Sequence, residues 1–278
     1  MESALRVLIP TDFSVQADYA YLMTRKLEEK MPLEVHVLHV LNLPDTVTLH
    51  PDGTFQTCGE IDPGFVQQQL DIATGKMQDL TRRYGMHIHT HLLAGKLTDA
   101  IVTFAERNGV DLIVMGTKGA WGLREKFSGS ETQNVARRCR VPVLSLMCDR
   151  SELVIRDILL IHDFRKPEKL CLDLLRRMLT AFGANLHLLQ ITSGNAEQEQ
   201  AVFEQNARQF AEMNELPSFS AHLIHDRDVE QGVVHFNQMR NMDLIFIGTH
   251  GKSGLLHSSV TEKLINHLYK PIVSFHLN

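Results

Sequence analysis

The sequence predicts an α/β protein built from two tandem copies of one domain, each a parallel sheet with helices on both faces. Short apolar runs alternate with longer segments of helical period along the 278 residues, and strands separated by helices usually pair in parallel. A glycine-rich stretch, Asp111–Ser130, returns in similar form as Asp243–Thr261. Such a recurrence indicates an internal repeat, and the length suits roughly two domains of about 140 residues.

In the first copy, apolar runs and amphipathic segments predict the order β-α-β-α-β-α-β-α-β. The strands are Leu5–Pro10, Glu34–Val40, Met86–Leu93, Asp111–Met115 and Val141–Leu146. The helices run from Ser14 to about Lys30 and over Phe65–Tyr84, Lys96–Asn108 and Gly129–Cys139. Ser14 suits the N-cap position because its hydroxyl can accept a hydrogen bond from a free helical N–H. Three prolines and two glycines within Asn42–Pro63 predict a long loop.

The second copy follows the first at two different sequence offsets. His162-Asp163-Phe164 matches Thr11-Asp12-Phe13 at an offset of 151 residues, whereas Asp243 matches Asp111 at an offset of 132 residues. The second copy is therefore 19 residues shorter between its second and fourth strands, which is about the length of the predicted loop.

The start of the second copy and the domain boundary follow from this alignment. Its first two strands are predicted at Ile155–Ile161 and Asn185–Ile191, with Pro167 in the first turn of the helix between them. The boundary falls near Cys148–Leu153. We therefore predict domains at residues 1–148 and 153–278.

The composition is ordinary for a soluble globular protein, with 44% apolar and 22% charged residues. The net charge of −5 gives no general attraction to nucleic acid or to anionic membranes. No apolar stretch approaches the roughly 20 residues of a membrane helix, and the N-terminus lacks the apolar region of a signal peptide. The four cysteines form no C-x-x-C pair and suit reduced thiols in the cytoplasm. We predict a cytoplasmic protein without nucleic-acid or membrane partners.

The glycine-rich stretch of the first copy has the spacing of an anion-binding turn. Gly116 and Gly119 follow a strand, and after nine intervening residues Gly129-Ser130 opens a helix. Glycine lets the backbone bring N–H groups close to oxyanions, and a helix N-terminus favours negative charge. The alternative is a tight turn without a ligand. Lys118, Arg124 and Lys126 are close enough in sequence to reach phosphates, and Trp121 either covers a ligand or docks the loop.

Three features together resemble the universal stress protein family over nearly the whole chain, as two tandem copies. They are Pro10-Thr11-Asp12 at the end of the first strand, the spacing of Gly116, Gly119 and Gly129-Ser130, and Val-Pro-Val-Leu at Val141–Leu144. The resemblance implies two Rossmann-like domains of the adenine nucleotide α-hydrolase-like type, each with five parallel strands in the order 3-2-1-4-5. It also implies a stress-response role and ATP, with or without Mg²⁺, at the carboxyl ends of strands 1 and 4.

The resemblance carries over to individual residues of the first copy. It implies a nucleoside site made of the backbone of Pro10 and Thr11, the Asp12 carboxylate, the backbone of Val40 at the adenine edge, and Met115 and Gly116 beside the ribose. It implies a phosphate site made of Gly119, Gly129 and Ser130, with an added contact from Thr132. Glu131 departs from the family pattern, because an apolar residue is common there and a carboxylate beside phosphates is unfavourable unless it turns away.

The second copy keeps only part of this motif. Gly248 and Gly251 remain, and so does Asp163, but only six residues separate Gly251 from Ser258-Ser259. The shorter loop and the missing glycine predict a smaller phosphate cradle. These five residues are therefore either a second nucleotide site or remnants in a copy that serves as a packing partner.

Three histidines, His87, His89 and His91, alternate along one predicted strand and would face the same side. That arrangement can hold a transition metal, although it also suits a face covered by a helix. No residue pair has the pattern of a general base with a positioned partner, so no catalytic residue is predicted.

Three functions follow from these observations. The first is an ATP-binding stress protein with a sensing or regulatory role, at most slow hydrolysis, and two copies packed as an intramolecular pseudo-dimer that could also form a homodimer. The second is a nucleotide-free interaction module of the same fold. The third, a metal-dependent hydrolase or ATPase, depends on the three histidines alone.

Overall fold

The computed structural model describes residues 3–44, 46–50, 53–58, 61–85, 87–117, 131–194, 196–249, 264–265 and 268–277. The first half contains β1 (Leu5–Pro10), α1 (Val15–Glu28), β2 (Leu33–Leu41), β3 (Val47–Leu49), β4 (Phe55–Thr57), α2 (Pro63–Tyr84), β5 (His89–Ala94), α3 (Leu97–Arg107), β6 (Leu112–Gly116), α4 (Glu131–Arg138) and β7 (Val143–Leu146). The second half contains β8 (Asp157–Ile161), α5 (Asp173–Phe182), β9 (Asn185–Thr192), α6 (Ala196–Met213), β10 (Phe219–His225), α7 (Val229–Met239), β11 (Leu244–Thr249) and β12 (Ile272–His276). The predicted α/β class is confirmed.

One ten-stranded sheet runs through both halves in the order β10-β9-β8-β11-β12-β7-β6-β1-β2-β5. The strands pair in parallel within each half, and in each half the third main strand lies at the outer edge with the first strand in the middle. β7 and β12 pair antiparallel, with Val273 opposite Leu144. The final strands of the two halves therefore join the repeat into a single sheet.

Helices cover both faces of this sheet because its central strands are apolar throughout. In β1, Val7 and Leu8 point to opposite faces, and both are fully buried. Val7 belongs to the core under α1, with Met23, while Leu8 belongs to the core under α3 and α4, with Ile101 and Val135. Burial on both faces explains why these strands are continuous apolar runs rather than alternating ones.

The predicted loop over Asn42–Pro63 is wrong in part, because a short antiparallel hairpin of β3 and β4 lies within it. The hairpin packs on α2: Val47 is buried in one small core with Val66 and Leu70. Prolines and glycines hid this element in the sequence, since its strands are only three residues each.

Pro167 does not lie in the first turn of a helix, because α5 begins only at Asp173. The segment before α5 is held by a side chain from the end of α6. Asn214 accepts a hydrogen bond from the Leu170 N–H at 2.7 Å and donates one to the Glu168 carbonyl at 2.8 Å. These bonds satisfy backbone groups that a longer helix would have paired internally.

Candidate functional site

A cavity of about 180 Å³ lies where the carboxyl ends of β1, β2 and β6 meet the start of α1 and α4. This is where the strand order of a doubly wound sheet reverses and where such folds place ligands. Seven of the ten predicted first-copy residues line it: Pro10, Thr11, Asp12, Val40, Met115, Gly116 and Thr132. The other three, Gly119, Gly129 and Ser130, lie outside the described residues, as do Lys118, Trp121, Arg124 and Lys126.

The turn after β1 presents the Asp12 carboxylate at the start of α1. The Thr11 N–H donates to the Leu38 carbonyl at 2.8 Å, which continues the sheet ladder to the last residue before the turn. Asp12 Oδ1 accepts from the Ser14 N–H at 3.0 Å, and Ser14 Oγ caps the helix by accepting from the Ala17 N–H at 3.4 Å. Asp12 is exposed, and it lines the cavity.

Gly116 has a packing role that differs from the predicted contact with ribose alone. A Cβ at this position would lie 2.0 Å from the backbone oxygen of Gln16, a distance that real atoms do not adopt. Only glycine lets the first turn of α1 sit on the end of β6. The Gly116 carbonyl also accepts a hydrogen bond from Thr132 Oγ1 at 3.1 Å, which ties α4 to β6.

Glu131 is turned toward α3 rather than left free beside a phosphate. Its Oε2 accepts a hydrogen bond from Thr98 Oγ1 at 2.7 Å. Thr98 is buried, so the contact anchors the carboxylate at one wall of the cavity. The neighbouring helix therefore fixes the orientation of the Glu131 carboxylate at the cavity.

Two residues of this site were missed by the sequence prediction. His39 lines the cavity, and its Nδ1 lies 2.7 Å from the Thr11 carbonyl oxygen. Phe13 has φ of +64°, and its ring centroid lies 4.4 Å from that of His39. His39 could have been noticed as the neighbour of Val40 at a strand end. The sequence carries no signal for the backbone conformation of Phe13.

The model of the universal stress protein family matches this chain twice, over residues 4–146 and 155–276. The chain belongs to the universal stress protein family. The two matched segments correspond to the two halves of the sheet and are separated by the short connection of residues 147–154.

Two relatives from Methanocaldococcus jannaschii each align with about half of this universal stress protein. Universal stress protein MJ0531 is 29% identical over 147 residues, covering 53% of this chain and 84% of the relative. Universal stress protein MJ0577 is 28% identical over 149 residues, covering 50% of this chain and 92% of the relative.

One solved structure matches nearly the whole of this chain and has the same fold. The crystal structure of a universal stress protein from Archaeoglobus fulgidus covers 98% of this chain and 96% of its own, with a TM-score of 0.70 and 18% identity. At that identity the likeness concerns the fold and carries no function.

At the equivalent place the second universal stress protein copy has a larger side chain in close contact with a helix. Ile191 stands where the first copy has Val40, and Gly232 of α7 lies directly on it. A Cβ on Gly232 would come within 2.7 Å of Ile191 Cδ1. Only glycine at this position of α7 leaves room for the Ile191 side chain.

The structure describes two of the five residues predicted for a nucleotide site in the second copy. Asp163 repeats one hydrogen bond of Asp12, since its Oδ1 accepts from the N–H two residues later, that of Arg165, at 3.1 Å. Gly248 packs on Leu277, whose side chain would lie 2.7 Å from an added Cβ. Gly251, Ser258 and Ser259 lie outside the described residues.

The predicted face of three histidines is wrong, because β5 begins at His89 and leaves His87 outside the strand. His91 Nε2 instead lies 2.9 Å from Nδ1 of His36, and His36 Nε2 lies 3.0 Å from Glu34 Oε1. Within the described part of the chain, no group of three or more His, Cys, Asp or Glu side chains could hold a metal ion. The histidines therefore give no support to a metal-dependent hydrolase.

The same imidazole pair occurs in the second copy. His222 Nε2 lies 3.1 Å from His187 Nδ1, and His187 Nε2 lies 3.1 Å from Asp157 Oδ1. A carboxylate can only accept a hydrogen bond, so the middle rings, His36 and His187, donate from Nε2 to their carboxylates. At Nδ1 each middle ring accepts from the outer ring, His91 or His222. Burial is the main reason that the pKa of the outer rings, His91 and His222, falls to about 4.

Proposed function

We propose that the first copy binds ATP and that the protein is a stress-response sensor or regulator with at most slow hydrolysis. The observation that carries this proposal is the cavity at the carboxyl ends of β1 and β6, where residues far apart in sequence meet. Membership of the universal stress protein family supports the stress-response role.

The size of the cavity indicates which part of ATP it would hold. At about 180 Å³ it is smaller than the roughly 300–1,000 Å³ of sites that enclose a whole small molecule. It would take the nucleoside, while the phosphates would extend toward residues 118–130. The sequence of that segment supplies Gly119, Gly129 and Ser130 for the phosphates.

A Mg²⁺ ion would be held mainly by the ATP phosphates and water. The described residues contain no ready-made metal cluster, and Mg²⁺ commonly keeps several waters and uses one or two carboxylates. Asp12 is the carboxylate at the cavity mouth that can take this part, because Oδ1 is committed to Ser14 and the side chain is exposed.

The second copy is proposed to be a nucleotide-free partner of the first. The packing of Ile191 against Gly232 favours this role over a second ATP site. The antiparallel pairing of β7 with β12 would make the two copies an intramolecular pseudo-dimer. If the first copy also proves unable to bind ATP, the whole chain becomes the interaction module that the sequence left as an alternative.

We further propose that the protein acts in the cytoplasm. None of the helices among the described residues has both the length and the apolar character that a bilayer crossing requires. The four cysteines are unpaired in the structure, as reduced thiols would be.

A Gly129→Asp variant tests the assigned phosphate site. A carboxylate at the position where the sequence predicts the helix to start would repel the phosphates, so we expect ATP affinity to fall at least about 100-fold by calorimetry, with the unfolding temperature nearly unchanged. Ser258→Asp, at the corresponding position of the second copy, is the matched control and should leave ATP affinity unaltered. Equal affinity of the Gly129→Asp variant and the wild type would show that the site is elsewhere.

A further inference from the structure

We infer that His39 is a positioning residue that holds the turn Thr11–Phe13 in the conformation that binds the nucleoside. The inference rests on the proposed ATP site in the first copy. It concerns a residue that the glycine motif does not contain, and it explains how the Thr11 carbonyl and the Asp12 carboxylate are kept in place before a ligand arrives.

The turn has an unfavourable backbone conformation. Phe13 has φ of +64°, in the left-handed region where a bulky side chain is rare. Among the described non-glycine residues, Glu215 is the other one with positive φ. Such conformations persist where the surroundings enforce them, and they concentrate at ligand sites.

His39 supplies two of the contacts that enforce this conformation. Its ring packs against the Phe13 ring at 4.4 Å, and Lys76 Nζ lies 5.1 Å from the centre of the Phe13 ring. Its Nδ1–H donates to the carbonyl oxygen of Thr11 at 2.7 Å, since a carbonyl can only accept. The Phe13 N–H in turn donates to Thr11 Oγ1 at 3.0 Å.

Protonation of His39 does not change the donor of its hydrogen bond to the Thr11 carbonyl, which is Nδ1–H in both states. Burial lowers the pKa of the imidazole, so the ring is neutral at physiological pH. The neutral ring must keep its proton on Nδ1 to pair with the Thr11 carbonyl, and the charged ring carries a proton there as well. The contact to Thr11 therefore survives titration.

The second copy serves as an internal comparison, because it has lost both the histidine and the strained turn. Gln190 replaces His39, and its Oε1 accepts from the Phe164 N–H at 3.0 Å. Phe164, the counterpart of Phe13, is fully buried and is not among the residues with positive φ. The same backbone N–H is thus satisfied in a different way where the turn is relaxed.

Removing the His39 contacts would free the turn to relax as it does in the second copy. The Thr11 carbonyl would lose its partner, and Asp12 would move with the backbone. Ligand binding would then have to restore the strained conformation, and this cost lowers affinity in addition to any contact that the His39 side chain makes from the cavity wall.

Two variants separate the effect of the hydrogen bond to Thr11 from the effect of ring packing on Phe13. His39→Phe keeps an aromatic ring against Phe13 and removes the donor, whereas His39→Asn keeps an N–H near the place of Nδ1. We expect calorimetry to show ATP affinity reduced about tenfold in His39→Phe and largely restored in His39→Asn. Gln190→Leu in the second copy is the control, and it should lower the unfolding temperature while leaving ATP affinity as in the wild type.

The outcomes distinguish this inference from the proposed function. No ATP binding by the wild type would overturn the proposed function and the inference with it. Wild-type binding with equal affinity in His39→Phe would overturn the inference alone. So would an affinity loss that His39→Asn does not reverse, because that pattern indicates general packing rather than positioning of the Thr11 carbonyl.

Discussion

At the scale of single residues, the site depends on side chains whose tasks only become visible in three dimensions. Gly116 belongs to the glycine motif, and the backbone of Gln16 takes the space that a Cβ would need there. Thr132, which the resemblance assigns to phosphates, also donates its hydroxyl to the Gly116 carbonyl. Seven of the ten residues named from the motif meet at one cavity, because a motif fixes where backbones converge, although it does not fix which atoms make the contacts.

A Gly116→Ala variant tests this close approach. The added methyl would meet the backbone of Gln16 at 2.0 Å, and a backbone atom cannot move aside as a flexible side chain can. We expect the free energy of unfolding in urea to fall by about 1–3 kcal/mol or more.

Gly75→Ala is the matched control, because Gly75 lies within α2 and nothing lies within 4 Å of its added Cβ. Alanine there should raise the free energy of unfolding by about 0.5–1 kcal/mol through helix propensity. A Gly116→Ala protein as stable as the wild type would contradict the packing assigned to this glycine.

At the scale of elements, strands were predicted well because a strand buried on both faces is an unbroken apolar run bounded by glycine or proline. Elements whose conformation depends on tertiary contacts were not predicted from the sequence. The β3–β4 hairpin depends on packing against α2, and the segment with Pro167 depends on Asn214 from α6. The turn at Phe13 belongs to the same group, since the histidine that supports it comes from another strand.

The two imidazole pairs make a prediction about pH. The pKa of His91 and of His222 is lowered to about 4, mainly by burial, with the neighbouring His36 or His187 as the next cause. Below the ordinary value of about 6.5, the unfolded chain binds protons that the folded chain does not. The free energy of unfolding should therefore decrease as pH falls from about 6.5 to about 4.

Urea unfolding between pH 4 and pH 7 measures this dependence. A double variant, His91→Phe with His222→Phe, should reduce the slope in that window, because the replacement rings can pack on Phe104 and Phe236 without titrating. Part of the slope should remain, because burial lowers the pKa of His162 to about 4 as well. His89→Gln, at an exposed histidine of the same edge strand, should retain most of the slope. An unchanged slope in the double variant would assign the dependence to other groups.

At the scale of the whole molecule, the last strand of each copy pairs with that of the other and joins the two copies into one sheet. β7 and β12 share a ladder, and Val273 and Leu144 are fully buried opposite each other. An unpaired strand at this place would offer free backbone groups and apolar side chains to another chain. The duplication thus places inside one chain a contact that a single copy would have to find in a second molecule.

Residues 1–148 expressed alone should therefore self-associate through β7. Sedimentation velocity is expected to show dimers or larger species for this fragment, while the full chain has this edge covered by β12. A fragment that stays folded and monomeric at high concentration would contradict the role given to this strand pair.

Calorimetric titration of the wild-type protein with ATP and Mg²⁺ measures directly whether the first copy binds a nucleotide. We expect saturable binding of one ATP per chain, because the cavity belongs to the first copy and Ile191 packs against Gly232 in the second. No binding at millimolar ATP would contradict the proposed site. Two equivalents per chain would contradict the role assigned to the second copy.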